Sequence, residues 1–284
     1  MRYGVTFARL RPALWAETAQ VCDELGFESV WLPEHLVLPV GLTGSPHAGQ
    51  DHPPVPADVP VFDVFTMLGF LAGRTSRLRL GTNVYNIGLR HPFITARAVA
   101  TLDVVSGGRV ELGIGASWLK EEWEAVGLDF ASRGSRVDEA LQICRRLWTE
   151  PVIEHSGRHF SFAPVAFEPK PVQASIPVSV GGDSPPALRR AALLGDGWLP
   201  MNTPLDRLPA SLDTITRLRK DAGRDGPWTT TFMGQAETAA DVERAAAAGV
   251  DRLIVSPWRR SGEAVDGLRA FARSFLSAPE PEAP

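Results

Sequence analysis

Three distant stretches of this chain follow one pattern: CDELGFESVWLPEH (22–35), AALLGDGWLPMN (191–202) and AAAAGVDRLIVSPW (245–258). Each passes from helix-forming residues through a Gly to a short strand that is apolar throughout, then to a Pro or polar stop. Gly just past a helix end is the usual left-handed C-cap. A strand without polar alternation is buried on both faces, which is the condition of a parallel sheet. The pattern therefore predicts repeated βα units.

Eight strands follow from this reading: 3–7, 29–32, 78–84, 110–114, 178–180, 198–200, 228–233 and 252–255. Helical stretches alternate with them at 12–25, 61–73, 93–105, 133–148, 185–194, 205–221, 238–248 and 262–275. Eight alternating pairs within 284 residues predict an α/β fold, a (β/α)8 TIM barrel, over an open doubly wound sheet. The expected domain spans 1–276, and the tail SAPEPEAP (277–284) reads as disordered. Two segments break the alternation, giving one insertion after strand 2 (36–60, six prolines and three glycines) and one before strand 5 (149–175). The second is expected to hold a short hairpin around HFSF. Insertions of this length are usually lids or binding loops.

The net charge of −4 argues against a nucleic-acid or anionic-membrane partner. No window approaches ~18 consecutive apolar residues, and no secretory signal is read at the N-terminus, so the expected location is cytoplasmic. Cys22 and Cys144 each fall within a predicted helix and are expected to be buried thiols, and no metal-ligand spacing is present. The helix VFDVFTMLGFLAG is apolar nearly all round, which predicts that something covers its outer face, a second copy of the chain before the long loops folded over it.

Barrel chemistry sits at the C-terminal ends of the strands. Strand 2 ends in Glu34 and His35, strand 3 near Asn83 and Val84, and strand 4 in Gly115, Ala116, Ser117 and Trp118. Strand 5 ends in Gly181 and Gly182, followed by Asp183 and then Pro185-Pro186 at a helix start. Two readings of the glycine pair stand side by side: bare amides facing an anion at a helix N-terminus, or a tight turn needing positive φ. His35 at the mouth suits general acid or base work, and a buried structural histidine is the other reading. GIGASW is not a dinucleotide fingerprint, because Trp118 takes the third glycine position. Glu121, Glu122 and Glu124 read as a solvated acidic face.

ELGFESVWLPEH, TSRLRLGTNVYNIGLRHP, ATLDVVSGGRVELGIGASWLKEE, RGSRVDEALQICRRLW and FEPKPVQ with IPVSVGGDSPPALRRAALLGDGWLP together resemble the luciferase-like monooxygenase superfamily. Within it the chain is most similar to the branch dependent on the deazaflavin coenzyme F420. The resemblance runs over about residues 1–202. It implies a homodimeric oxidoreductase that moves hydride between F420 and a small organic substrate at the barrel mouth, with FMN and oxygen chemistry as the alternative. It places a non-proline cis peptide at Asn83-Val84 behind the ring, Gly115, Ala116 and Ser117 beside the ring, and Gly181, Gly182 and Asp183 around the cofactor phosphate. His35 is implied as the catalytic proton carrier, with Phe7, Glu34 and Trp118 in the substrate pocket. Many relatives have Asp where this chain has Glu34, and some carry a strand-4 glutamate where this chain has Ser117 and Trp118. The pair Arg189-Arg190 is a candidate for the acidic tail of F420. A non-redox phosphate-binding barrel, or a homologue that binds flavin without turnover, is the reading from another class.

Overall fold

In a computed structural model, which describes residues 1–40 and 59–276, the eight predicted strands close into one parallel barrel. In chain order the elements are β1 (Arg2–Thr6), α1 (Trp15–Leu25), β2 (Ser29–Leu32), α2 (Val64–Ala72), β3 (Arg79–Thr82), α3 (Pro92–Ser106) and β4 (Val110–Ile114). There follow α4 (Lys120–Ala125), α5 (Arg133–Thr149), β5 (Val152–Ser156), β6 (Ser161–Ala166), β7 (Val178–Gly181), α6 (Pro185–Leu194) and β8 (Gly197–Leu199). The chain then runs through α7 (Leu208–Asp221), β9 (Thr229–Met233), α8 (Ala239–Ala247), β10 (Arg252–Val255) and α9 (Ala264–Phe275). Around the barrel the order is β1-β2-β3-β4-β7-β8-β9-β10, closed by β10 on β1. β5 and β6 form the expected antiparallel hairpin outside it. The tail at 277–284, most of the first insertion, and His47 and His52 within it lie outside the described residues.

Local chemistry sets the boundaries. α2 starts at Val64, later than predicted, because the Asp63 side chain accepts the Thr66 N–H at 2.8 Å and caps the helix there. Left-handed glycines follow α1 at Gly26 (φ 84°) and α8 at Gly249 (φ 90°), as the recurring pattern predicts. Gly195 departs from it: its φ is −92°. Its lack of a side chain matters for space, since a Cβ there would lie 2.8 Å from the Ala191 carbonyl and 3.0 Å from that of Gly197.

The barrel interior is filled. Trp31 is fully buried with Leu199 and Ile254, and Val84 packs on them from the C-terminal side. The indole lies across two glycines: a Cβ on Gly81 would be 2.5 Å from the Trp31 ring, and one on Gly4 2.7 Å from its Nε1. At the N-terminal end Arg252, 1% exposed, donates to Glu28 at 2.6 and 2.8 Å, to Glu111 at 3.4 Å and to Thr231 at 3.2 Å. Arg79 holds the other side of Glu111 at 2.6 Å. The base of the barrel is thus closed by a network in which each charge meets an opposite one.

Cys22 and Cys144 are both buried free thiols. Among the described residues no helix is long and apolar enough to cross a membrane.

Candidate functional site

The mouth is built outward from a bulge. β3 ends at Thr82, the Asn83-Val84 peptide is cis, and the chain rejoins β4 where Tyr85 N–H donates to the Gly113 carbonyl at 2.8 Å. The excursion turns Val84 inward. A Cβ on Gly115 would lie 2.7 Å from Val84 Cγ2, and one on Gly181 2.8 Å from Val84 Cγ1. Three distant sequence positions, Val84, Gly115 and Gly181, therefore make one contact at the rim. Beside it the Asn83 side-chain oxygen is buried without a hydrogen-bond partner among the described residues. The Asn83 amide nitrogen lies 4.0 Å from Met233 Sδ.

A turn explains part of the glycine pair and packing explains the rest. Gly182 has φ +119°, which only glycine adopts readily, and Gly181 clears Val84. The expectation of two free amides needs correction at Gly182, whose N–H donates to the Leu199 carbonyl at 3.1 Å. Its own carbonyl accepts Trp198 Nε1–H at 2.8 Å. The first two residues of α6, Pro185 and Pro186, have no N–H to offer. The remaining N–H groups of this turn are those of Asp183 and Ser184. The Asp183 carboxylate points across to the next loop, accepting the N–H groups of Met201 (3.1 Å), Asn202 (2.8 Å) and Thr203 (3.3 Å) and the Thr203 hydroxyl (2.6 Å). Asp183 thereby clamps the loop after β8 to the glycine turn.

His35 is half-buried, and its Nδ1 lies 3.2 Å from Glu122 Oε2 and 3.3 Å from Oε1. This corrects the reading of the acidic run on α4. Glu121 and Glu124 are exposed, but Glu122 is fully buried and joined to the mouth. Its Oε1 also accepts the Leu36 N–H at 2.6 Å, and its Oε2 the Ser117 hydroxyl at 3.5 Å. Ser117 has φ +61°, an uncommon conformation for a residue with a side chain, and its Oγ accepts the Leu119 N–H at 3.1 Å. Trp118 meets the His35 ring edge to face, with centroids 6.1 Å apart. An ionised carboxylate can only accept, so Nδ1 carries the hydrogen and Nε2 is the nitrogen left for other partners. The structure brings His35, Ser117 and Trp118 together around Glu122, which the sequence reading missed.

The remaining candidates divide. The Glu34 carboxylate is turned into the protein, accepting Arg90 at 2.6 Å and the Asn86 N–H at 2.9 Å. Burial alone would depress the Arg90 guanidinium, but the hydrogen bond and charge of Glu34 hold it above its ordinary value. Phe7 is fully buried in the core, packed against Trp15. Ala116 is half-buried beside Ser117. Arg190 is already engaged, with Asp138 and with the Gly134 carbonyl at 3.0 Å, whereas Arg189 is exposed. Among the described residues no group of His, Cys, Asp and Glu side chains could hold a metal ion.

The chain is similar to known proteins in sequence and in fold. A family model described as luciferase-like monooxygenase covers residues 8–278. An uncharacterised protein of Mycobacterium tuberculosis is 30% identical over 257 residues, spanning 90% of this chain and 88% of its own. A phthiodiolone/phenolphthiodiolone dimycocerosates ketoreductase of Mycobacterium kansasii is 33% identical over 227 residues, 77% of this chain and 61% of that protein. Among solved structures, an F420-dependent secondary alcohol dehydrogenase superposes with a TM-score of 0.80 over 96% of this chain and 98% of that one, at 17% identity.

Proposed function

Because the chain belongs to the luciferase-like monooxygenase family, we propose that it is an oxidoreductase that uses coenzyme F420 to interconvert an alcohol and a carbonyl compound. The observation that carries the reading is the rim itself: a planar ring laid against Val84 would meet a buried acceptor that has no partner among the described residues, Asn83 Oδ1. Flavin and deazaflavin rings both present an N–H on their pyrimidine edge that this oxygen can accept. Gly115 supplies bare backbone beside Val84, and Ala116 and Ser117 continue that edge. The N–H groups of Asp183 and Ser184, which donate to no backbone carbonyl among the described residues, are the donors for the phosphate, with Gly181 and Gly182 shaping the turn. The residues present fit such a group.

When bound, the deazaflavin supplies a two-electron hydride donor or acceptor and leaves the proton to the protein. His35 Nε2 holds or releases that proton at the substrate oxygen. Glu122 keeps the imidazole in one tautomer and one orientation, as a carboxylate does for a histidine base. Trp118 closes the space over the ring edge and excludes water. The ketoreductase and alcohol dehydrogenase among the similar proteins support carbonyl chemistry at this mouth. The family description favours a second reading, an FMN enzyme that uses oxygen.

Titrating the apoprotein with F420 and with FMN, followed by ring absorbance, separates the two. Binding of F420, with coenzyme reduction in a panel of secondary alcohols, is expected; binding of neither ring rejects the reading. His35→Ala should keep coenzyme affinity within a few-fold and lower turnover by ~10²-fold, the scale of general acid–base catalysis. Unchanged turnover removes His35 from the chemistry.

A homodimer is part of the same reading. The outer faces of α2 and α3 leave Phe70 (44%) and Ile94 (59%) exposed, apolar surface that a second copy would cover. Light scattering on the eluting protein tests it, and a monomer at micromolar concentration counts against it.

A further inference from the structure

Bordering His35, a cavity of about 540 Å³ opens between the loop after β1, the end of β2 and the start of α2. This is the size range of small-molecule sites. Its wall is apolar, with Leu10, Trp15, Leu32, Phe62, Val64 and Met67 contributing. Glu34 reaches it, but its carboxylate is already neutralised by Arg90. The other charged groups are Arg9 and Arg11, both exposed, and among the described residues neither guanidinium has a hydrogen-bond or ion-pair partner.

The backbone that carries these arginines is fixed. Ser261, in the loop after β10, accepts the Arg11 N–H at 3.1 Å and donates to the Arg9 carbonyl at 3.2 Å. Trp15 Nε1 donates to the Leu10 carbonyl at 2.9 Å, and Leu10 N–H to the Phe7 carbonyl at 3.0 Å. Phe62 meets Trp15 edge to face at 5.9 Å and closes the opposite wall. A wall held in this way loses little freedom when a ligand enters. Two uncommitted guanidinium groups at the rim of an apolar cavity are suited to a carboxylate, which they can grip by charge-assisted hydrogen bonds.

We propose that this cavity takes an anionic amphiphile, an apolar chain or ring ending in a carboxylate, with the carboxylate at Arg9 and Arg11 and the far end of the molecule toward His35. The proposal rests on the proposed function only in making this ligand the substrate, and it sharpens the substrate class from any small alcohol to one bearing a remote acid.

The test is calorimetric titration of the full chain with decanoate and with decan-1-ol, with and without F420. Decanoate should bind at least tenfold more tightly than the alcohol. The double variant R9Q/R11Q should bring the two to within a factor of two, leaving decanol binding and the thermal midpoint unchanged. Met67→Trp, which fills the apolar end, should weaken both ligands together. Equal affinities in the parent protein overturn the proposal, as does a decanoate preference that survives R9Q/R11Q or the absence of binding by either. Because binding is read without turnover, such a result can stand beside normal F420 titration. Failure of F420 to bind while decanoate still discriminates sinks the proposed function instead.

Discussion

Both ends of this barrel bury charge, and they do so in opposite ways. At the N-terminal end Arg252 meets Glu28, Glu111 and Thr231, and Arg79 completes Glu111, so each group has an opposite charge or a hydroxyl facing it. At the C-terminal end Glu122 is just as deeply buried, yet its partners among the described residues are an imidazole, an amide and a hydroxyl, with no arginine or lysine. Asn83 Oδ1, at the same end, has none among the described residues. Among the described residues the charges at the base are met by opposite charges, whereas the mouth holds a buried carboxylate on neutral donors and a buried amide oxygen with no protein partner. That difference is the ground for assigning the proposed chemistry to the mouth and stability to the base.

The largest effect should come from breaking the base. Arg252→Ala takes from Glu28 its hydrogen-bonding arginine, leaving only Arg2 at 3.6 Å, and from Glu111 one of its two arginines, and should cost about 3 kcal/mol in urea unfolding, leaving the dissociation constant for F420 within twofold. Acid dependence sharpens the same point. Burial alone would raise the Glu28 carboxyl, but the hydrogen bonds and charge of Arg252 outweigh it and hold Glu28 below its ordinary 4.5. A depressed carboxyl contributes stability that is present above that value and lost as pH falls through the folded one. The parent protein should therefore lose stability on acidification below about pH 4.5, and Arg252→Ala should flatten that slope; an identical slope in both would refute the assignment.

Gly181→Ala comes next. It forces a methyl to 2.8 Å from Val84 Cγ1 and should cost about 1–3 kcal/mol, visible as weakened coenzyme binding because Val84 must move. Glu122→Gln should spare stability and lower kcat about tenfold with KM little changed, the signature of a residue that orients a base. A merely structural Glu122 would move the unfolding midpoint and leave kcat alone. The smallest expected change is Asp183→Ala, about 1 kcal/mol for the lost grip on residues 201–203, read as faster amide exchange confined to that loop.

The barrel was legible in the sequence because each parallel strand is buried on both faces, so short apolar runs stood out between helices. Gly195 shows the limit: glycine marked the joint, but whether it served a left-handed cap or a close approach depended on the Ala191 and Gly197 carbonyls. At the mouth, His35, Ser117 and Trp118 could be placed because they end strands. Glu122 could not, since α4 is only six residues long and gives no periodicity, and its partner His35 lies 87 positions away. The one available signal was Trp123, an apolar residue that turns one side of KEEWEA inward. The Gly181 contact was hidden likewise, because Val84 reaches it only through the bulge after β3.

The Trp31 indole lying across Gly4 and Gly81 works as a stopper midway along the barrel. It insulates the rim from the foundation, so substitutions that retune the loops need not disturb the charged floor below. It also ties three positions into one unit: neither glycine can acquire a side chain unless residue 31 shrinks at the same time. Among descendants of this chain those three sites should change in concert or stay as they are.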